Sequence, residues 1–202
     1  MLMYDDSTVA VMTATKDEAT ALGARDYGSE HVLLGLLAAA DDLTRRVVPS
    51  FPDLTTTAVR GAVQSSLDDA PHLARLGLTT VDPATQPAPA TIAKPPRTKH
   101  TPELQSALNR ATAKWGRLRK TGALPKERKL TSAVLWLAVL EPSARAPRLL
   151  QAMGIDPDDV RAAVLSALVP AGAQVPEWPT ETPAGPVTRL FHRLFERTNV
   201  AR

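Results

Sequence analysis

The sequence predicts an all-α protein, on three observations. Apolar residues recur at the three- and four-residue spacing of a helix face along most of the chain. Runs of alternating β-branched residues, the mark of strands, are missing. Residues that start and stop helices stand at the ends of the periodic stretches. The 202 residues are 44% hydrophobic, enough to bury a core. No apolar run approaches the roughly 20 residues of a membrane span, and the start Met-Leu-Met-Tyr-Asp-Asp lacks the basic region of a secretion signal. The expected address is therefore cytoplasmic. With no cysteine, disulfides, thiolate metal sites and a cysteine nucleophile are excluded. A net charge of +3 does not announce nucleic acid.

Taken in order, a first helix is expected from about Ser7 to Leu22, stopping at Gly23, a residue that readily takes the left-handed conformation of a helix end. Ser29 reads as the N-cap of a second, buried helix through Val32, Leu33, Leu36 and Leu37. Two shorter helices follow, near Asp42 to Val48 and near Thr55 to Leu67. Beyond Leu78 come Pro83, Pro87, Pro89, Pro95 and Pro96, which favour an extended linker between two packed units.

Those units read as copies of each other. Val59-Arg60-Gly61-Ala62-Val63-Gln64-Ser65-Ser66-Leu67 returns as Val160-Arg161-Ala162-Ala163-Val164-Leu165-Ser166-Ala167-Leu168, identical at six of nine positions with an offset of 101. Val32-Leu33 pairs with Val134-Leu135 at an offset of 102. The second copy inserts residues 117–129 between its first two helices, where the first copy has a short turn. The expected organisation is a first repeat over 1–78, a Pro-rich linker over 79–100, a second repeat over 101–169 and a Pro-rich tail over 170–202.

A helix ending Glu18-Ala19-Thr20-Ala21-Leu22-Gly23, then Gly28-Ser29-Glu30-His31-Val32-Leu33-Leu34-Gly35-Leu36-Leu37, then a helix carrying Val59-Arg60, resembles the Clp repeat. Thr101-Pro102 is similar to the family's opening of the repeat's first helix. The resemblance covers roughly residues 8–168. Two such repeats form the N-terminal domain of ClpA- and ClpC-type unfoldases, and the resemblance implies two tandem four-helix repeats with approximate two-fold symmetry. It also implies binding of polypeptide substrates and adaptor proteins and, in ClpC-type members, of phosphorylated arginine.

The unfoldases follow this domain with ATPase modules, but no Gly-x-x-x-x-Gly-Lys-[Ser/Thr] loop occurs here. Histidines 31, 72, 100 and 192 fall on separate elements and form no metal motif. The expectation is a binding module, not an enzyme, with no cofactor.

Ser29-Glu30-His31 has two readings. In the structural one, Ser29 caps the helix, Glu30 favours the helix dipole and His31 packs on a neighbour. In the functional one, the helix start and the Ser29 hydroxyl hold a phosphate while Glu30 takes a guanidinium, the two halves of phosphoarginine. The second repeat has Thr131-Ser132-Ala133 at that place, without carboxylate or imidazole.

Two further segments are candidates for contact. Lys114, Arg117, Arg119, Lys120, Lys126, Arg128 and Lys129 form a basic stretch with one acidic residue, either a solvated loop or, with Trp115 to stack, a nucleic-acid contact. In the tail, Val187, Leu190, Phe191, Leu194 and Phe195 make an amphipathic helical stripe, to dock on its own domain, to self-associate or to enter a partner's groove. The resulting expectation is an adaptor or competitor of a ClpC-type chaperone-protease. Sequestration of cyclic peptide antibiotics that target such N-domains, and nucleic-acid binding, stand as alternatives. His100 stands before Thr101-Pro102 where the family commonly has an aromatic, which weakens the antibiotic reading.

Overall fold

Helix α1 (Asp6–Ala21) opens the computed structural model, which describes residues 5–67, 99–124 and 131–180. The Asp5 carboxylate accepts from Thr8 N–H at 2.8 Å and so starts the helix. Gly23, at φ +68°, ends it as the sequence predicts. A two-residue strand β1 (Asp26–Tyr27) leads to α2 (Ser29–Ala39), followed by α3 (Asp42–Val47), a 3₁₀ turn (Val48–Ser50) and α4 (Thr56–Leu67). After the Pro-rich segment, whose residues 79–98 lie outside the described ones, β2 (Lys99–His100) pairs parallel with β1. Then come α5 (Pro102–Lys120), α6 (Ser132–Val139), α7 (Ala146–Ala152) and α8 (Pro157–Leu168). The Thr101 hydroxyl caps α5 at Leu104 N–H, 3.2 Å away, as Asp5 caps α1.

The eight α-helices of the described residues form two sets of four with reciprocal contacts. Helix α2 packs on α1 and on α6; α6 packs on α5 and on α2. Helix α3 touches α8, while α4 touches α7, so each third helix meets the other set's fourth. This is the pattern a two-fold relation produces.

The two sets are not separately packed units joined by a linker. They share one core, because their second helices are too apolar to be covered by one set alone. All eight residues of α6 are buried, as are Val32, Leu33, Leu34, Leu36 and Leu37 of α2. Trp136, fully buried, donates its Nε1–H to Thr44 Oγ1 of α3 at 3.1 Å and so ties the two sets together.

Close approach of α1 and α2 explains Gly35. A Cβ there would stand 2.2 Å from Thr15 Oγ1 and 2.7 Å from the Val11 carbonyl oxygen. Helix propensity alone favours Gly35→Ala by about 1 kcal/mol. Overpacking against backbone reverses the sign, and the variant should lose about 1–3 kcal/mol in chemical denaturation. A gain in stability would show that α1 yields freely at this crossing.

Candidate functional site

The start of α2 lies where the two sets of helices meet, and its first three residues point in different directions. Ser29 is not the N-cap; Gly28 is. The Ser29 side chain is fully buried, and its hydroxyl accepts from the backbone N–H groups of Arg145 and Ala146 at 2.9 and 3.1 Å, at the start of α7. It caps a helix of the other repeat instead of its own. Ser132, first residue of α6, answers across the pseudo-two-fold by donating to Asp41, whose other oxygen accepts from Thr44 N–H at 2.8 Å and starts α3. Where the first repeat has a capping carboxylate the second has Arg145, so Ser29 itself supplies the missing acceptor.

His31 is 3% exposed, with Nδ1 standing 3.1 Å from Gly28 N and 3.2 Å from Glu30 Oε1. One ring nitrogen cannot accept from the N–H and donate to the carboxylate at once, so the two partners compete for it. Nε2 is buried and unpartnered among the described residues, as is Glu30 Oε2. The Glu30 carboxylate folds back over Gly28, where a Cβ would stand 2.5 Å from Oε2. Burial pushes its pKa up. The His31 hydrogen bond, its own backbone N–H and the charges of His31 and Arg145 outweigh that and hold it below the usual carboxylate range.

Facing Glu30 is a second carboxylate, Glu103 in the first turn of α5, which accepts from the Ser29 hydroxyl at 3.4 Å. The Arg145 guanidinium lies between them, Nε 3.1 Å from Glu103 Oε2 and Nη1 3.9 Å from Glu30 Oε1. Its side chain is 64% exposed, against 12% for Glu30 and 26% for Glu103. Carboxylates from both repeats thus converge on one guanidinium at the surface.

No protein-family model matches the chain, and no curated protein does. Among solved structures it is similar to the N-terminal domain of the caseinolytic-protease-associated chaperone ClpD from Arabidopsis thaliana. The TM-score is 0.55 at 18% identity, over 82% of this chain and 94% of that one. The chain has the Clp N-domain fold.

Within that fold the basic stretch is not one feature. Lys114 does not face solvent: it is 3% exposed and gives its ammonium to both oxygens of Glu141 at 2.8 and 2.9 Å. Arg117, Arg119 and Lys120 belong to the last turn of α5 instead of a loop, where cations complement the helix dipole. The helix continues because Trp115 and Leu118 are buried, giving this turn an apolar face to pack. Lys126, Arg128 and Lys129 lie outside the described residues, as do Val187, Leu190, Phe191, Leu194 and Phe195 of the tail stripe. His100 is exposed, with its ring centroid 6.3 Å from that of Tyr27 across the strand pair.

A cavity of about 310 Å³ opens between the third-to-fourth-helix connections, lined by Phe51, Asp53, Ile155, Asp156 and Asp159 among others. Its carboxylates are exposed. Among the described residues no helix is long and apolar enough to cross a membrane.

Glu103 and Arg145 were not singled out from the sequence. Glu103 carried a weak signal, an acidic residue just after the Thr101-Pro102 helix start. Arg145, in Ser143-Ala144-Arg145-Ala146-Pro147, carried none.

Proposed function

We propose that this chain is a non-catalytic polypeptide-binding module that takes guanidinium-bearing side chains at the Glu30–Glu103 pair, and acts as an adaptor or competitor within a ClpC-type chaperone-protease system. The observation that carries the reading is the guanidinium of Arg145 seated between two carboxylates at an accessible edge of the inter-repeat interface. A carboxylate pair of this kind suits a planar, multiply donating cation better than a compact ammonium. The likeness to the ClpD N-terminal domain supports a place among Clp proteins.

Phosphoarginine fits only in its guanidinium half. Ser29, buried and already accepting two backbone N–H groups, has no lone pair or surface left for a phosphate. The carboxylate of Glu30 also covers the start of α2, where a phosphate would otherwise dock. A nucleic-acid reading loses Lys114 to the core ion pair.

Calorimetry with a short arginine peptide and its phosphoarginine counterpart tests the reading and separates the two sources of guanidinium. Glu30→Ala should weaken binding of whichever peptide binds by about tenfold or more, since a charge-assisted contact contributes roughly 1.5–3 kcal/mol. Glu103→Gln, at a more exposed position, should act in the same direction without disturbing the fold. No heat with either peptide, or unchanged affinity in both variants, would overturn the assignment.

A further inference from the structure

We infer that Arg145 is a built-in occupant of the Glu30–Glu103 pair, a side chain that must swing out before a partner's guanidinium can enter. The inference rests on the reading that this pair receives guanidinium groups.

The Arg145 backbone and side chain are held very differently. The backbone is fixed, its N–H on the buried Ser29 hydroxyl at 2.9 Å and the next N–H on the same oxygen at 3.1 Å. The guanidinium is 64% exposed, with one close contact, to Glu103 at 3.1 Å, and a longer one to Glu30 at 3.9 Å. Such a group can rotate into solvent without moving α7. Glu30 cannot follow it: its carboxylate, 12% exposed, lies over Gly28 and against His31 at the start of α2, while Glu103 stays on the first turn of α5. Departure of Arg145 therefore leaves the two carboxylates without the guanidinium they share.

Solvent screening sets the scale. Exposed ion pairs contribute little, so the internal guanidinium competes weakly and lowers apparent affinity by only about two- to fivefold. A buried clamp would have closed the site; this one biases it toward partners that bring more than a single arginine.

The test compares the full chain with Arg145→Ala, using an acetylated, amidated Gly-Arg-Gly peptide in calorimetry. Because Ser29 grips the backbone of residue 145, the substitution leaves that cap in place. The variant should bind about two- to fivefold more tightly. Equal affinity overturns the inference and leaves the Glu30–Glu103 reading standing; weaker binding also overturns it, since Arg145 would then be a ligand contact. Binding by neither protein removes the underlying reading, and the inference with it. Self-occupancy has its own readout without peptide: the Arg145 Nε–H resonance should exchange with solvent about two- to fivefold more slowly in the wild type than in Glu103→Gln. No change there would show that Arg145 does not occupy the pair in solution.

Discussion

Glu141→Ala is expected to cost about 3–5 kcal/mol of stability. Glu141 is 1% exposed and holds three donor contacts: the Lys114 ammonium at 2.8 and 2.9 Å, and the Trp178 indole N–H at 2.9 Å. The Trp178 ring also covers the ammonium, its centroid 5.6 Å from Nζ. Removing the carboxylate strands a buried charge and a buried N–H together. Removing both charges is a different matter, because desolvating an ion pair consumes most of what its attraction returns. Lys114→Met combined with Glu141→Gln, which keeps an acceptor for Trp178, should recover most of the loss. Urea denaturation of the three proteins decides: a single-variant loss under about 1 kcal/mol would mean that water reaches the pair. The matching position of the first repeat takes a partner from a different helix. Glu18, which stands 96 positions before Lys114 as Asp5 stands before Thr101, pairs with Arg60 of α4 at 2.7 Å in a partly exposed setting. There the contribution is that of an ordinary surface pair.

Trp136→Ala should lose about 3–5 kcal/mol and should do so for the whole chain at once. The indole is fully buried, and its N–H reaches Thr44 in the other repeat at 3.1 Å, so truncation opens a cavity at the junction and leaves the Thr44 hydroxyl without that donor. Trp136→Phe keeps most of the volume and loses the hydrogen bond, so its cost should be smaller. Because α2 and α6 bury their apolar surface against each other, neither repeat retains a covered core when the other unfolds. Scanning calorimetry should therefore show one transition in the wild type and one, at lower temperature, in Trp136→Ala. Two resolved transitions would establish that the repeats are independent units.

Helix positions and the all-α class were legible in the sequence because their signals are local. The Gly23 stop and the apolar runs of α2 and α6 express preferences settled within a turn or two of backbone, and repetition at a near-constant offset exposed the doubling. Within Ser29-Glu30-His31, proximity to a helix start was legible too, but the role of each residue was not. A serine before an apolar run looks the same whether its hydroxyl caps its own helix or one that begins 117 residues later. Lys114 reads as solvated because it heads a run of basic residues, yet its partner lies 27 residues on and also accepts from the Trp178 indole. Arg145 had no periodic or motif signal, since its place between Glu30 and Glu103 exists only where the two repeats meet. By itself the sequence determined most of the helical stretches among the described residues and the apolar faces they bury, through hydrogen bonds and periodicity that span a few residues. Only the tertiary structure decided which polar groups are left to a partner, because hydroxyls, ammonium groups and carboxylates take their partners from whatever packing brings within about 3 Å.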